Sequence, residues 1–206
     1  MPTKRSYSSP LRQQAAARTR SLILESSTRL FAERGYGRVT VADIAAAAGV
    51  SAKTVFASVG SKTDILNTIV ERGIDASRAE AVIGEIVALD SPHEVLRVLA
   101  RGTRLGNEGQ FPVWEAIRLA LPVHENAGEL WERATDSYLE ALSRVAHHLH
   151  GLCGAPSYSV EDTTALLWMW FGPSGWRSLV VDQGLTWGQA EHLLRRTAVA
   201  TLCPGA

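Results

Sequence analysis

Between Thr40 and Lys62 the chain reads TVADIAAAAGVSAKTVFASVGSK, with polar residues spaced for backbone and phosphate chemistry. Thr40 followed three residues later by Asp43 forms a capping box. The hydroxyl takes a free backbone N–H, and the carboxylate lies at the positive end of the helix it opens at Val41. Ile44, Ala45 and Ala48 share one stripe of that helix, and Gly49 can supply the left-handed residue that stops it. After the turn Gly49-Val50-Ser51, Ser51 can cap a second helix from Ala52 to about Val59. In that helix Val55 and Val59 face inward, and Lys53, Thr54, Ala57 and Ser58 lie elsewhere on the surface. Helix, glycine turn and helix is the arrangement that lays its second helix in a DNA major groove. Its chemistry is hydrogen bonding to phosphates and base edges. No catalytic constellation accompanies it: no Ser, Cys or Lys has a nucleophile setting, no glycine-rich phosphate loop occurs, and no paired carboxylates carry metal-ligand spacing, so the protein is not expected to be an enzyme or to need a cofactor.

The charge distribution points the same way. The whole chain holds 21 bases and 21 acids, but residues 1–62 hold ten bases against three acids, a local charge of +7 that leaves −7 for the remainder. Such a basic segment is the electrostatic footprint of a phosphate binder. Charge asymmetry alone would also suit a small unit kept soluble by its polar face, and the motif decides between the two.

Three submotifs in order, ILESSTRLFAERGY, VTVADIAAAAGVSAKTVF and SKTDIL, span Ile23 to Leu66. Together they resemble the N-terminal domain of the TetR family of bacterial transcriptional regulators, over about a fifth of the chain. The resemblance implies a homodimer that binds operator DNA and releases it when a small molecule enters the C-terminal domain. It implies that Thr40 meets a phosphate, that Ala52, Lys53 and Thr54 face base edges or nearby backbone, and that Lys62 meets a phosphate where the fourth helix starts. The family pattern usually has tyrosine, then histidine or tyrosine, then phenylalanine, where this chain has Phe56, Ser58 and Val59. Phe56 lacks the hydroxyl that would donate to a phosphate, and Ser58 is a shorter donor. The expected consequence is weaker backbone anchoring, offset by the basic arm.

The elements that position this motif follow from start and stop signals. Residues 1–14, including Lys4, Arg5 and Arg12, lack apolar periodicity and are expected to form a mobile arm, either solvated or reaching a minor groove. Residues 15–62 make the DNA-binding domain. Its first helix runs from about Ala15 to Arg34, burying Ile23, Leu30 and Phe31 against Ile44 and Val55, with Tyr36 and Val39 closing the core. Residues 63–206 make a helical ligand-binding and dimerisation domain. Capping signals at Ser61–Asp64, Ser91–Glu94, Asn126–Glu129, Ser159–Asp162 and Thr186–Gln189 open its helices. The segment from Ala79 to Asp90 is left between a short separate helix and a continuation of the fourth. No stretch alternates with period two, so the fold class is all-α, with about nine helices and no sheet. No apolar run of about 18 residues could span a bilayer and no signal-peptide core is present, so a cytoplasmic protein without membrane partners is expected.

The ligand site is expected around residues 102–130. Gly106, Asn107 and Gly109 loosen the backbone, and Pro112 opens a short helix with Trp114, Ile117 and Leu121 that Pro122 ends. Phe111, Trp114, Trp131, Tyr138 and Trp168 supply aromatic walls beside Ile117, with Arg104, Asn107 and His124 as polar contacts. Any one of these tryptophans is more simply a core residue, and only the group suggests a cavity for an apolar or aromatic effector. His147, His150 and Cys153 recur at one-turn spacing, but structural metal sites need four arranged ligands, and histidines in the last turn of a helix suit its dipole, so no metal is assigned. The last two helices are Glu161–Val181 and Trp187–Leu202, and ALLWMWF makes the first apolar around its whole circumference. A dimer seam is expected there through Leu166, Trp170, Leu179, Leu193, Leu194, Ala198 and Leu202, with Gly172-Pro173-Ser174-Gly175 breaking or kinking the first helix in its middle. Two other functions remain open at this level: a small-molecule binder that has lost useful DNA affinity, and an activator instead of a repressor.

Overall fold

A computed structural model describes residues 10–75, 79–152 and 158–203. Among the described residues the regular elements are helices and no strand occurs: α1 (Pro10–Arg34), α2 (Val41–Ala48), α3 (Ala52–Ser58), α4 (Lys62–Asp75), α5 (Ala79–Ile86), α6 (Pro92–Ala120), α7 (Ala127–Leu152), α8 (Val160–Phe171), the short α9 (Pro173–Arg177) and α10 (Trp187–Leu202). A 3-10 turn over Tyr36–Arg38 links α1 to α2, and a π turn over Ser178–Asp182 follows α9. Each expected capping residue opens its helix, and α5 is the separate short helix.

The chain forms two compact units. The first contains the described residues up to Arg72 together with Pro112–Leu130, and the second Gly73–Phe111 with the described residues from Trp131 onward. The chain passes between them inside α4, α6 and α7. In the first unit Ile23, Leu30, Phe31, Tyr36, Val39, Ile44 and Val55 are buried, and so are Ile65, Leu66, Ile69 and Val70 of α4. Helices α1 to α3 cannot cover their own apolar faces, and α4 supplies the missing surface. The unit therefore reaches past Lys62. In the second unit α6, α7, α8, α9 and α10 pack Leu96, Leu99, Leu142, Val145, Leu167, Phe171, Trp176 and Leu194 into one core.

Two helices depart from the sequence expectation. α1 begins at Pro10, five residues before Ala15, so Arg12 lies on a helix; Lys4 and Arg5 fall outside the described residues. The exposed segment PLRQQAAAR carries proline in its first turn and strong helix formers behind it, which need no apolar periodicity to stay helical. Likewise α6 is continuous through Pro112. Proline frees the carbonyl four residues back, that of Glu108, and both residues lie on an exposed face where water can satisfy it. Trp114 and Ile117 thus belong to α6 and not to a separate short helix.

The break after α8 is set by backbone crowding. Gly172 is extended (φ −72°, ψ 167°), and Pro173 opens α9. A Cβ on Gly175 would come within 2.4 Å of the Met169 carbonyl oxygen, so only glycine fits there. Trp176, fully buried, donates from Nε1 to the Phe171 carbonyl at 3.0 Å. Replacing it empties the largest fully buried side-chain volume of the core: Trp176→Ala should cost roughly 3–5 kcal/mol in chemical denaturation, and a loss below about 1 kcal/mol would show that the site collapses without penalty.

Candidate nucleic-acid interface and effector site

Each turn of the DNA-reading motif is closed by its own residues. Thr40 caps α2 in a complete capping box, its hydroxyl accepting from Asp43 N at 3.1 Å and donating to Asp43 Oδ2 at 2.6 Å, while Thr40 N donates to the same oxygen at 2.8 Å. Gly49 ends α2 in the left-handed region (φ 67°, ψ 32°), where a side chain would be strained. Ser51 Oγ then accepts from Thr54 N at 3.1 Å and pairs with Thr54 Oγ1 at 2.8 Å. The axes of α2 and α3 turn through 94°. That angle is within the range of DNA-reading helix-turn-helix units. From the side of α1, Arg20 donates to the Ser58 carbonyl and caps the end of α3.

This scaffold turns one face of α3 outward. Val55 is buried against α1 and α2, while Ala52, Lys53, Phe56 and Ala57 are exposed, Phe56 by 55%. An apolar ring that exposed on a short helix has no role in the core. Thr54 and Ser58 are half-buried, at the edge of this face. Thr40 stands at the start of α2 with its hydroxyl hydrogen directed to Asp43.

Lys62 opens α4, as expected, and its ammonium bonds within the unit. Its Nζ donates to the carbonyls of Tyr36 and Val39, both at 3.0 Å, and lies 4.2 Å from the centre of the Tyr36 ring. Partial burial pushes its pKa down. Two of its three N–H groups therefore hold the link between α1 and α2 onto the start of α4. Beside it, Ser61 and Asp64 repeat the capping box, with Ser61 N and Oγ each 2.7 Å from Asp64 Oδ2.

His124, expected in the ligand site, belongs to the first unit. Asn126 N donates to its Nδ1 at 3.1 Å, so the hydrogen of the neutral ring resides on Nε2, which donates to Thr63 Oγ1 at 3.3 Å. Its ring meets Tyr36 edge-on at 5.0 Å, and Val123 covers Gly37. The corner between α6 and α7 is thus fastened to the residues that carry α2 and α4. Ile117 is buried and Trp114 half-buried in the same unit.

The second unit brings together Arg104, Asn107, Phe111, Tyr138 and Trp168; Trp131, half-buried, also lies in it. Because α8 ends at Phe171, the Phe171 carbonyl has no donor within that helix and needs others. It receives Trp176 Nε1 and the Tyr138 hydroxyl, the latter at 2.6 Å. Having spent its hydrogen there, the Tyr138 oxygen accepts from Asn107 Nδ2 at 3.0 Å, and the same nitrogen donates to Thr103 O at 2.8 Å. A carbonyl can only accept, so the orientation of the Asn107 amide is determined. Burial pushes the Tyr138 phenol well above its ordinary range, against the pull of the Asn107 bond. Asn107 is 1% exposed, and its Oδ1 has no hydrogen-bond partner among the described residues. An unmet acceptor of this kind costs about 1–3 kcal/mol.

Two sets of ring contacts lie in this unit. Trp168 meets Tyr138 at 5.7 Å, Phe111 lies one turn along α6 from Asn107, and Trp187, missed in the sequence, meets both Phe111 and Trp176 at 5.7 Å. Arg104 is held by two carboxylates, Nη1 to Glu108 Oε2 at 2.9 Å and Nε to Glu191 Oε2 at 2.6 Å, so its charge is already balanced. Of the expected seam residues, Leu194 and Ala198 face the core of their own unit instead of its surface. Leu193 is exposed, and Leu166, Trp170, Leu179 and Leu202 are half-buried. Met169 and Val181, which the sequence reading passed over, are exposed beside them in sequence. His147 and His148 bind backbone carbonyls, of Ser143 and Leu89, and no cluster that could hold a metal occurs among the described residues; Cys153 lies outside them.

Residues 23–69 match the family model described as bacterial regulatory proteins, tetR family. The chain also shares its fold with solved regulators. A protein described as a transcriptional regulator from Saccharomonospora viridis, in complex with choline, superposes with a TM-score of 0.71 at 20% identity, covering 90% of this chain and 98% of that one. The TetR family transcriptional regulator PfmR from Thermus thermophilus gives 0.63 at 21% identity, covering 88% and 94%. SmeT in complex with triclosan gives 0.61 at 18% identity, covering 91% and 93%. No curated protein matches the chain. The resemblance to the TetR family therefore holds: its N-terminal model is matched, and the all-helical fold is that of TetR-family transcriptional regulators.

Two outcomes follow from the local geometry. Hydrogen bonds from the Thr40 hydroxyl and N–H, and from the Ser61 hydroxyl and N–H, hold the Asp43 and Asp64 carboxyls below the usual carboxylate range. Their folded pKa values lie below the unfolded ones, so their stabilisation is present above about pH 4 and is lost as pH falls through the folded values. Thermal melts followed by circular dichroism should show the double variant Asp43→Asn, Asp64→Asn less stable than the wild type at pH 7, with the gap closing towards pH 2. Separately, Lys62→Ala should lower stability by roughly 1–2 kcal/mol through the two lost carbonyl bonds. An unchanged melting temperature would return Lys62 to a purely DNA-facing role.

Proposed function

We propose that the protein is a homodimeric, sequence-specific transcriptional regulator, a repressor released from a pseudo-palindromic operator by a small apolar or aromatic effector. The observation that carries this proposal is the outward face of α3, exposed on a capped, glycine-turned pair of helices at 94° within the basic end of the chain. The matched family model covers those residues. Lys53, which makes no hydrogen bond or ion pair among the described residues, is the base-edge reader, with Ala52 and Thr54 beside it. Phe56 is better suited to a thymine methyl group than to a phosphate. Thr40, Ser51 and Ser58 border the phosphates, and the third N–H of Lys62 can join them.

Dimerisation supplies the second half-site. Leu193, Met169 and Val181 are exposed apolar residues of the final helices, and Leu166, Trp170, Leu179 and Leu202 are only half-buried in one chain. Two copies pairing α8 and α10 would cover them in a four-helix bundle. The two α3 helices must then sit about 34–36 Å apart to enter successive major grooves. Effector coupling runs along α4, which starts at Lys62, and along α6, whose far end carries Val123 and His124 onto the α2 and α4 starts. The ligands named for the Saccharomonospora viridis protein and for SmeT support an effector role for the helical domain. The protein works where its DNA is, in the cytoplasm.

Selection of bound fragments from randomised DNA at about 0.15 M salt, where counterion competition suppresses nonspecific binding, should enrich a pseudo-palindrome with half-sites about one helical turn apart. Lys53→Ala should relax preference at one base pair per half-site and cost roughly 1–3 kcal/mol. No enriched sequence would favour a small-molecule binding protein whose Phe56 and Ser58 leave DNA affinity too weak. Enrichment with reporter output that falls on deleting the gene would mark an activator.

A further inference from the structure

The Asn107 amide stands out in the second unit as a polar group whose surroundings cannot satisfy it. Its nitrogen is held by Thr103 and Tyr138, and Tyr138 is held in turn by the Phe171 carbonyl at the end of α8. These bonds fix the carbonyl end in one direction, and Oδ1 is buried there without a partner among the described residues. Rotating the amide would set an oxygen against the Thr103 carbonyl, which cannot donate, so the open acceptor cannot be removed by a flip. Tyr138 bonds the amide and meets Trp168, while Phe111, one turn along α6, meets Trp187; all four are half-buried. A buried acceptor beside accessible ring faces is the polar point of an apolar site.

Charge narrows the class. An anionic ligand needs an uncompensated cation, and here Arg104 is ion-paired with Glu108 and Glu191, which together outweigh it by one negative charge. Asn107 Oδ1 and the rings offer acceptance and stacking.

We infer that Asn107, flanked by Phe111, Tyr138, Trp168 and Trp187, is the specificity-determining group of the effector site, and that it takes a non-anionic aromatic molecule presenting one N–H or O–H donor. The inference rests on the effector reading above and gives it a ligand class. Tyr138 is a positioning residue, because it acts through the amide. A ligand without the donor would leave Oδ1 as unmet as before, so discrimination comes from the hydrogen bond and not from the shape of the ring system.

The test uses isosteric pairs on the full chain without DNA: indole against benzofuran, aniline against fluorobenzene, and 2-naphthol against 2-fluoronaphthalene, with 2-naphthoate as the anion. Affinities are measured by ligand-observed NMR and calorimetry. The donor member of a binding pair should bind about tenfold more tightly, 2-naphthoate should bind more weakly than 2-naphthol, and Asn107→Leu should bring each pair to near equality. Should Asn107→Leu fail to fold, the wild type still decides: the Asn107 side-chain amide resonances should shift with the donor member and stay put with its isostere. Equal affinities within pairs, preference for the anion, or no binding by any fragment would overturn the inference. Operator binding without donor preference removes this site and leaves the regulator standing. Donor preference without operator binding does the reverse.

Discussion

One ammonium group ties together the parts on which the DNA-reading geometry depends. Lys62, the first residue of α4, reaches back to the carbonyls of Tyr36 and Val39 and rests on the Tyr36 ring, which fixes the α1–α2 link against the start of α4. The capping box of α2 begins one residue after Val39, so the start of α2, the 94° turn and the direction of α3 are all referred to this contact. Charge-assisted hydrogen bonds suit the purpose, being stronger than neutral ones and having two acceptors at fixed positions. Arg20 at the end of α3 closes the frame from the other side.

The same junction fastens the corner between α6 and α7 to the rest of the first unit. Thr63 follows Lys62 and meets both Tyr36 and His124, and Val123 lies over Gly37. In the proposed mechanism, a change at Asn107, midway along α6, is felt at a corner already bonded to the residues that aim α3. Effector binding then needs only to bias an existing contact, because coupling between sites is a difference in free energy between two arrangements.

Much of this was legible locally. Thr40 with Asp43, Ser51, Ser61 with Asp64, Ser159 and Thr186 announce helix starts through side chains that bond within three residues, and such signals survive without knowledge of the fold. The buried set from Ile23 to Val55 follows the helical period equally well. What could not be read depends on distant partners. Lys62 and His124 carry no local mark of their tertiary partners, Leu194 and Ala198 look like seam residues until α8 and the core cover them, and the orphaned oxygen of Asn107 emerges only when Tyr138 and Phe171 are placed. Pro112 and the exposed start of α1 misled for the opposite reason: a breaker and a missing apolar period are strong local signals, and solvent on an exposed helix face makes both tolerable.

The central claim is that α3 enters the major groove at two sites on one face of the DNA. Methylation interference on a bound operator tests it most directly, because guanine N7 lies in the major groove and adenine N3 in the minor groove. The account predicts that N7 methylation blocks binding at two clusters centred about one helical turn apart, roughly 10–10.5 base pairs. Interference confined to adenine N3, or spread evenly along the fragment, would contradict it.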